Sequence, residues 1–270
     1  MNAATIALVK AEVRARRRSF GALGAAVFVF LLALAGTYTA LGGAAGLAQS
    51  FGRRPPAFFS AFGGSRNVNL FTPANYVGFG FLHPLFLVLT LTVGISIGAA
   101  AIAGDIETGR AELLYPCPIR RATVLNARLR VWAGMQVAVV AAGVAGSWAG
   151  TRLSHDLRSV DPMLYVPIVA AYLPLAAVFG AVAFLASAMT RTRSHALSAA
   201  VGLAALAYLV NVVALLWHPL AWAQRLTPFG YYTPLDSPND VNLANVAILL
   251  SVAVVLLVGA QWSLRRRDLV

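Results

Sequence analysis

Charged residues are scarce in this 270-residue chain. Asp, Glu, Lys and Arg make up 11% of it, whereas hydrophobic residues make up 59% and the mean hydropathy is +0.75. Soluble domains carry about 25% charged residues, so this composition indicates a membrane protein. The formal net charge is +12. Because the basic residues lie between long apolar segments, they indicate membrane topology and not a nucleic-acid-binding surface, and no nucleic-acid partner is expected.

Cysteine and lysine are nearly absent, with one of each, Cys117 and Lys10. A single cysteine excludes an intramolecular disulfide and a multi-cysteine metal site, and we expect Cys117 to be a reduced cytoplasmic thiol. The phosphate-binding loop of ATPases ends in Gly-Lys-Ser/Thr, but Lys10 follows Val9 and precedes Ala11. The chain is therefore not a P-loop ATPase. No metal site is predicted either, because no metal-ligand spacing relates the four histidines, His83, His155, His195 and His218.

Six apolar segments are long enough to cross the hydrocarbon core of a membrane, which takes about 20 helical residues. Helices are predicted because a spanning segment must satisfy its own backbone hydrogen bonds. No Asp, Glu, Lys or Arg lies inside any of the six segments, which argues against an ion-driven carrier. The sequence thus predicts an all-α membrane protein with one transmembrane domain over residues 1–270. Its predicted spans are residues 21–46, 80–103, 131–151, 163–189, 195–217 and 242–263.

The basic residues divide unequally between the two sides of such a bundle. Of the 21 Lys and Arg residues, 15 lie at one set of span ends. The remaining six are Arg53, Arg54, Arg66, Arg152, Arg158 and Arg225. The positive-inside rule places the side with more basic residues in the cytoplasm. Both termini and the connection between spans two and three are therefore predicted to be cytoplasmic.

The N-terminal stretch TIALVKAEVRARRRSF predicts an amphipathic helix. Its apolar residues fall near one helical face and most of its basic residues on another, which is typical of a helix that lies at the membrane surface. We expect this interfacial helix to lie at the inner leaflet and to continue into the first span. A cleaved signal peptide is disfavoured, because the apolar segment at 21–46 is longer than the 7–15 residues of a signal core.

A charged segment, GDIETGRAELLYPCPIRRATVLNARLR at 104–130, connects spans two and three. It contains eight of the chain's 30 charged residues. Residues 105–115 predict a helix with Leu113 and Leu114 facing away from the acidic residues, and Pro116 and Pro118 would end it. A leucine pair inside a structured, charged cytoplasmic segment indicates a short helix that is offered to a soluble partner protein.

The same segment resembles the ABC-2 membrane family, the permease subunits of ABC exporters of the second type. That family typically has Glu-x-Gly-Thr-x-Glu-x-Leu-Leu, then x-x-x-Pro and basic residues, at this place. Arg110 stands where Thr is usual, and Asn126 lies near where Gly is usual. LTPFGYYTP after the fifth span and the terminal SLRRRDL resemble two further motifs of the family. The residues of the first motif are Glu107, Gly109, Glu112, Leu113, Leu114, Pro118 and Arg121.

The resemblance implies a subunit of an exporter in the bacterial inner membrane. It implies a second permease subunit, identical or related, and two nucleotide-binding ATPase subunits that hold ATP and Mg. The helix between spans two and three is then the coupling helix that docks on the ATPase, and the N-terminal helix is the connecting helix beside it. The segment between spans five and six is expected to form re-entrant helices. ATP binding on the partner would move the coupling helices and rearrange the bundle.

Two other functions fit parts of the sequence. GISIG at 94–98 matches the G-x-S-x-G pattern of serine hydrolases, with Ser96 as the nucleophile. Inside an apolar helix, however, Gly94 and Gly98 are typical of close helix packing, and His83 would lie about 20 Å from Ser96 along the helix. The second alternative is a membrane scaffold that anchors a partner without transport.

The predicted topology is tested by single cysteines placed in a chain that lacks Cys117. Cysteines at Ser65, Ser159 and Ser237 are expected to react with an impermeant thiol reagent added outside intact cells. Cysteines at Thr108 and Thr192 are expected to stay unlabelled, because the positive-inside rule places them in the cytoplasm. Labelling of Thr108→Cys from outside would overturn this topology.

Overall fold

The computed structural model describes residues 3–51, 69, 71–110, 121–235 and 241–266. In this part the prediction of an all-α protein is confirmed. Short 3-10 helices at His155–Leu157 and Pro162–Leu164 precede α7, and two more at His218–Leu226 and Pro228–Tyr231 follow α8. The α-helices are α1 (Ala3–Ala40), α2 (Gly43–Phe51), α3 (Pro73–Leu82), α4 (Pro84–Ala100), α5 (Ala103–Glu107), α6 (Arg121–Leu153), α7 (Tyr165–Met189), α8 (Arg193–Leu216) and α9 (Leu243–Arg266).

Five helices in the described residues are each long and apolar enough to cross a membrane. The segments that meet this criterion are Ile6–Ala40, Ala122–Leu153, Pro162–Met189, Arg193–Leu216 and Leu243–Arg266. Helices α3 and α4 meet it only as a pair, and their axes differ by 44° across a short break. The segment predicted as a span at 80–103 is therefore not one straight helix.

Pro84 and His83 cause the bend between α3 and α4. Proline has no backbone N–H to donate within a helix, and His83 adopts an extended conformation with φ −60° and ψ 134°. The Nδ1 atom of His83 accepts a hydrogen bond from Leu85 N at 3.2 Å, which caps the start of α4.

Helix α1 contains both the basic N-terminal stretch and the first apolar segment. It is continuous over 38 residues, which agrees with the prediction that the N-terminal helix continues into the first apolar segment. The reason is that no Gly or Pro, the residues that most readily end a helix, occurs between Ala3 and Phe20. The helix ends at Ala40 and not at residue 46 as predicted, because Gly42 and Gly43 adopt positive φ angles of 81° and 63°.

Helix α7 lies at the centre of the bundle, where it packs against α4, α8 and α9, while α1 packs along α6. On α7, Ile168, Leu175 and Phe184 are fully buried. Association of helices within a membrane depends on van der Waals packing and hydrogen bonds, because lipid tails are as apolar as the side chains. The close fit around α7 therefore determines how the helices are arranged.

Glycines bring α4 and α7 into close contact. A Cβ atom added at Gly98 would lie 2.7 Å from Ala183 Cβ and 2.9 Å from Phe184 N, and one at Gly94 would lie 3.2 Å from Gly180 Cα. Neither position has room for a larger residue. The packing role predicted for GISIG is confirmed, and Ser96 Oγ donates to Val93 O of its own helix at 3.3 Å.

Buried polar side chains add hydrogen bonds to this packing. Tyr172 of α7 donates its hydroxyl proton to Thr90 Oγ1 of α4. Gln136 Nε2 of α6 donates to Thr90 O at 3.3 Å. Tyr232, within the LTPFGYYTP motif, donates to Phe81 O of α3 at 3.2 Å. The segment after α8 is thus attached to α3 immediately before the bend.

Gly98→Ala is expected to lower the free energy of unfolding by about 1–3 kcal/mol, because the added methyl group overpacks the contact between α4 and α7. Gly202→Ala is the matched control, since a Cβ at Gly202 meets nothing within 4 Å. The control should be neutral or slightly stabilising, by up to about 1 kcal/mol of helix propensity. Thermal unfolding of the two purified variants in detergent measures the difference. Equal midpoints would contradict the close packing.

Candidate functional site

The residues predicted to bind a partner lie in and after α5. Glu107 is the last residue of α5, Gly109 lies in the turn that follows, and Arg121 is the first residue of α6. The other predicted residues, which are Glu112, Leu113, Leu114 and Pro118, lie outside the described residues. The structure therefore gives the geometry at the two ends of the predicted docking segment.

The helix predicted over 105–115 is interrupted soon after it starts. Helix α5 covers only Ala103–Glu107, and Gly109 has a positive φ of 69°. Gly109 N donates to Ile106 O at 3.2 Å, which closes the turn. Glycine adopts this left-handed conformation without the steric penalty that other residues pay. The glycine of the predicted motif therefore separates the acidic start of the segment from the leucine pair that follows it in sequence.

A buried ion-pair cluster lies at the start of this segment. Arg128 and Asp105 are 7% and 3% exposed. Arg128 Nη1 donates to Asp105 Oδ2 at 2.6 Å, and Nη2 donates to Oδ1 at 2.9 Å. This two-bond geometry matches a planar guanidinium to a carboxylate. Arg128 Nε donates to Glu12 Oε1 at 3.2 Å. One guanidinium of α6 therefore joins α5 to α1.

Glu12 is shared between two arginines. Its Oε2 atom accepts a hydrogen bond from Arg16 Nε at 2.9 Å, one turn further along α1. Together with Asp105 and Arg128, this pair gives two carboxylates and two guanidiniums. An isolated charge is costly to bury, whereas a charge that is paired and hydrogen-bonded is tolerated. The cluster of Glu12, Arg16, Asp105 and Arg128 is therefore formally neutral.

Ser187 of α7 forms hydrogen bonds with the backbone at the break between α4 and α5. Its side chain is fully buried. Ser187 Oγ accepts hydrogen bonds from Ile102 N and Ala103 N and donates one to Ala99 O, all at 2.9 Å. A hydroxyl group has one donor and two acceptor sites, and all three are used here. The backbone groups that lose helical partners at the break are thus satisfied by one side chain of the central helix.

Glu107 connects α5 to the start of α8. Its Oε2 atom accepts a hydrogen bond from Arg193 N at 2.8 Å. The first N–H groups of a helix have no partner inside the helix, and its N-terminus carries a partial positive charge. Thr192, at the N-cap position, has no side-chain hydrogen bond to the backbone of α8. Glu107 therefore supplies the cap of α8 from another part of the chain.

A polar cavity of about 550 Å³ lies beside these contacts. Its wall contains both acidic and basic groups, and no set of His, Cys, Asp and Glu residues in the described part of the chain is arranged to hold a metal ion. The charged residues that line it are Glu12, Arg16, Asp105, Glu107, Arg110, Arg128 and Arg193.

Five side chains that form these contacts are not among the residues predicted from the sequence: Glu12, Arg16, Asp105, Arg128 and Ser187. In the sequence, Arg128 indicates only membrane topology, and Asp105 is one acidic residue of the charged segment. Their pairing across 23 positions becomes visible only when α5 and α6 are placed side by side. The i,i+4 pair of Glu12 and Arg16 was a usable local signal. Nothing in the sequence distinguishes Ser187 from other serines in apolar segments.

Arg128→Met is expected to lower the free energy of unfolding by about 3–5 kcal/mol, because it leaves the buried Asp105 carboxylate without its cation. Arg130→Met is the matched control. Arg130 is exposed on the same helix, so its loss should change stability by less than about 0.5 kcal/mol. Thermal unfolding in detergent measures both. Similar effects of the two substitutions would show that the buried cluster does not stabilise the fold.

Comparison with known proteins places the chain in a family. A family model described as ABC-2 family transporter protein matches residues 6–269. Neither a curated protein nor a solved structure matches the chain. The matched range includes all the long apolar helices and the segment that follows α4, so the resemblance found in the sequence motifs is confirmed. The chain belongs to the ABC-2 family of transporter proteins and is a multi-pass membrane component of transport.

Proposed function

We propose that the chain is the membrane-spanning permease subunit of an ATP-driven exporter. Helices α3 and α4 together form a broken second span, which gives six spans with both termini in the cytoplasm. ATP and Mg bind to separate nucleotide-binding ATPase subunits, and a second permease subunit, identical or related, completes the pathway. The segment from α5 to α6 is the coupling segment that docks on the ATPase. We place the protein in the bacterial inner membrane.

The observation that carries the proposal is the attachment of α5 to four different helices. Arg128 connects Asp105 to α6 and, through Glu12, to α1. Ser187 connects the residue just before α5 to α7. Glu107, the last residue of α5, connects α5 to α8. A displacement of α5 therefore acts on each of these helices at once.

Such attachments suit the transmission of force from a soluble partner. Packed helices move as rigid bodies between discrete arrangements, and the charged contacts have directions and short distances that a displaced α5 cannot keep without moving its neighbours. Along the sequence, the turn at Gly109 separates the residues that make these contacts from the leucine pair at 113 and 114. A partner that binds the leucines would thus act on α5 through a short connection.

The energy source is expected to be external to the chain. Its one lysine is not in a phosphate-binding loop, and the predicted spans contain no Asp, Glu, Lys or Arg to carry a coupling ion. The buried charges that the structure describes are paired with one another at the base of the coupling segment. This arrangement supports coupling to a partner ATPase and not to an ion gradient.

The two alternative functions gain less support. Ser96 donates to a carbonyl group of its own helix, and the adjacent glycines are occupied by contacts with α7, so GISIG serves packing. A scaffold without transport would also need a docking segment, but it would not need that segment to be joined to four helices. The scaffold therefore stays as the alternative that the experiment must exclude.

Replacement of Leu113 and Leu114 by Asp tests the docking role of the segment. The double variant should insert normally but lose binding to the ATPase subunit, because it removes apolar burial of about 1.5–3 kcal/mol per leucine if each is fully buried at the contact. Copurification of the permease with its ATPase measures the loss. Leu153→Asp is the control, since Leu153 is 77% exposed at the far end of α6, and it should keep the partner bound.

Reconstituted lipid vesicles separate the exporter from the scaffold. The chain alone should neither hydrolyse ATP nor move substrate. With its ATPase subunit it should do both, and an ATPase altered in the lysine of its phosphate loop should do neither. Transport by the lone chain on a proton gradient would overturn the proposed function, and normal ATPase binding without transport would identify a scaffold.

A further inference from the structure

We propose that the groove between α1 and α6 is a binding site for one anionic phospholipid of the cytoplasmic leaflet. The groove has a volume of about 520 Å³. The phosphate group would bind to Arg17, and one acyl chain would lie along the apolar wall. This site is separate from the ion-pair cluster at α5 and goes beyond the proposed role in transport.

The walls of the groove fit a hydrocarbon chain. Apart from Arg17, every residue that lines it is apolar or glycine. Gly21 leaves open space beside α1, since a Cβ added there would meet nothing within 4 Å. On the other wall, Met135 and Ala138 of α6 are partly or fully exposed. The surface is thus apolar, concave and uncovered by the described part of the chain.

Arg17 gives the groove a charged end. It is the first lining residue along α1, where the basic stretch meets the apolar segment. Arg17 has no ion-pair partner among the residues that the structure describes. A guanidinium can bind a phosphate through two hydrogen bonds, and basic pockets between spanning helices on the cytoplasmic side suit anionic headgroups. The charge complementarity therefore favours an anionic phospholipid over a neutral one.

The length of the groove matches one leaflet. The rise of α1 from Arg17 to Val29 is about 18 Å at 1.5 Å per residue. Half of the hydrocarbon core is about 15 Å thick. A headgroup at Arg17 thus places the end of its acyl chain close to the middle of the membrane, where the groove ends.

Neighbouring arginines divide between two sites. Arg16 points to Glu12 and belongs to the ion-pair cluster, whereas Arg17, rotated by about 100° around the helix, lines the groove. Arg18 is exposed on the same turn and does not line it. Of these three consecutive arginines, Arg17 is therefore the one placed to bind a headgroup above the apolar wall.

Native mass spectrometry of the full-length chain, delipidated in detergent, tests the site. Phosphatidylglycerol and phosphatidylcholine with the same acyl chains are added in turn. We expect one molecule of phosphatidylglycerol to be retained per chain, with a clear preference over phosphatidylcholine. Arg17→Gln should weaken its retention about fivefold, the effect of one basic residue near a membrane surface. Gly21→Leu should weaken it as well, because the leucine side chain fills the groove but leaves the charge in place.

Two control variants make the result specific. Arg18→Gln removes the same charge at the same depth, and Gly36→Leu adds the same side chain to α1 at another open position. Both should retain the lipid as the unaltered chain does. Equal retention of the two lipids would show that lipid binds the chain without a specific site for an anionic headgroup. Equal losses of phosphatidylglycerol in the control and test variants would show the same. A change in oligomeric state on Gly21→Leu, with unchanged lipid retention, would show that a second copy of the chain covers the groove.

Discussion

The pair of hydrogen bonds between Arg128 and Asp105 is the interaction on which the end of the bundle that contains α5 depends. These bonds join α5 to α6, the helices at the two ends of the predicted coupling segment. The third nitrogen of the Arg128 guanidinium, Nε, donates to Glu12 on α1. A low-dielectric bundle tolerates these charges only because each is paired and hydrogen-bonded. The geometry of α5 is therefore set by charge satisfaction, and a displacement of α5 must move or break contacts on several helices.

The packing of α4 against α7 sets the position of α5, which follows α4 directly. Gly94, Gly98 and Gly180 allow the two helices to approach closely, and Ser187 of α7 then lies within reach of the backbone where α4 ends. The close packing of α4 on α7 and the hydrogen bonds of Ser187 thus form one continuous arrangement around the central helix. The proposed transmission of movement from a partner uses this continuity, and the proposed lipid groove lies on another face of α1.

The sequence was sufficient for the class of protein and for much of its organisation. Low charge and long apolar segments predict spanning helices, because only a helix satisfies its own backbone in lipid, and the motif residues around Glu107 led to the ABC-2 family that the family comparison confirmed. The spacing of Gly94 and Gly98 also predicted their role in helix packing. The second predicted span, 80–103, is not one straight helix, because a break at Pro84 divides it. The first predicted span, 21–46, ends early at Ala40, because Gly42 and Gly43 have positive φ angles.

Tertiary structure alone decided which charged and polar groups meet. The sequence by itself determined an apolar chain that must cross a membrane as helices, with a charged segment between two of them. In the sequence, Arg128 indicates only membrane topology, and Ser187 cannot be distinguished from other serines in apolar segments. Their roles come from neighbours that are 23 and about 85 positions away, and such contacts have no periodic signature in the chain. Periodicity and composition describe each helix separately, whereas the partner of a buried charge depends on which helices pack together.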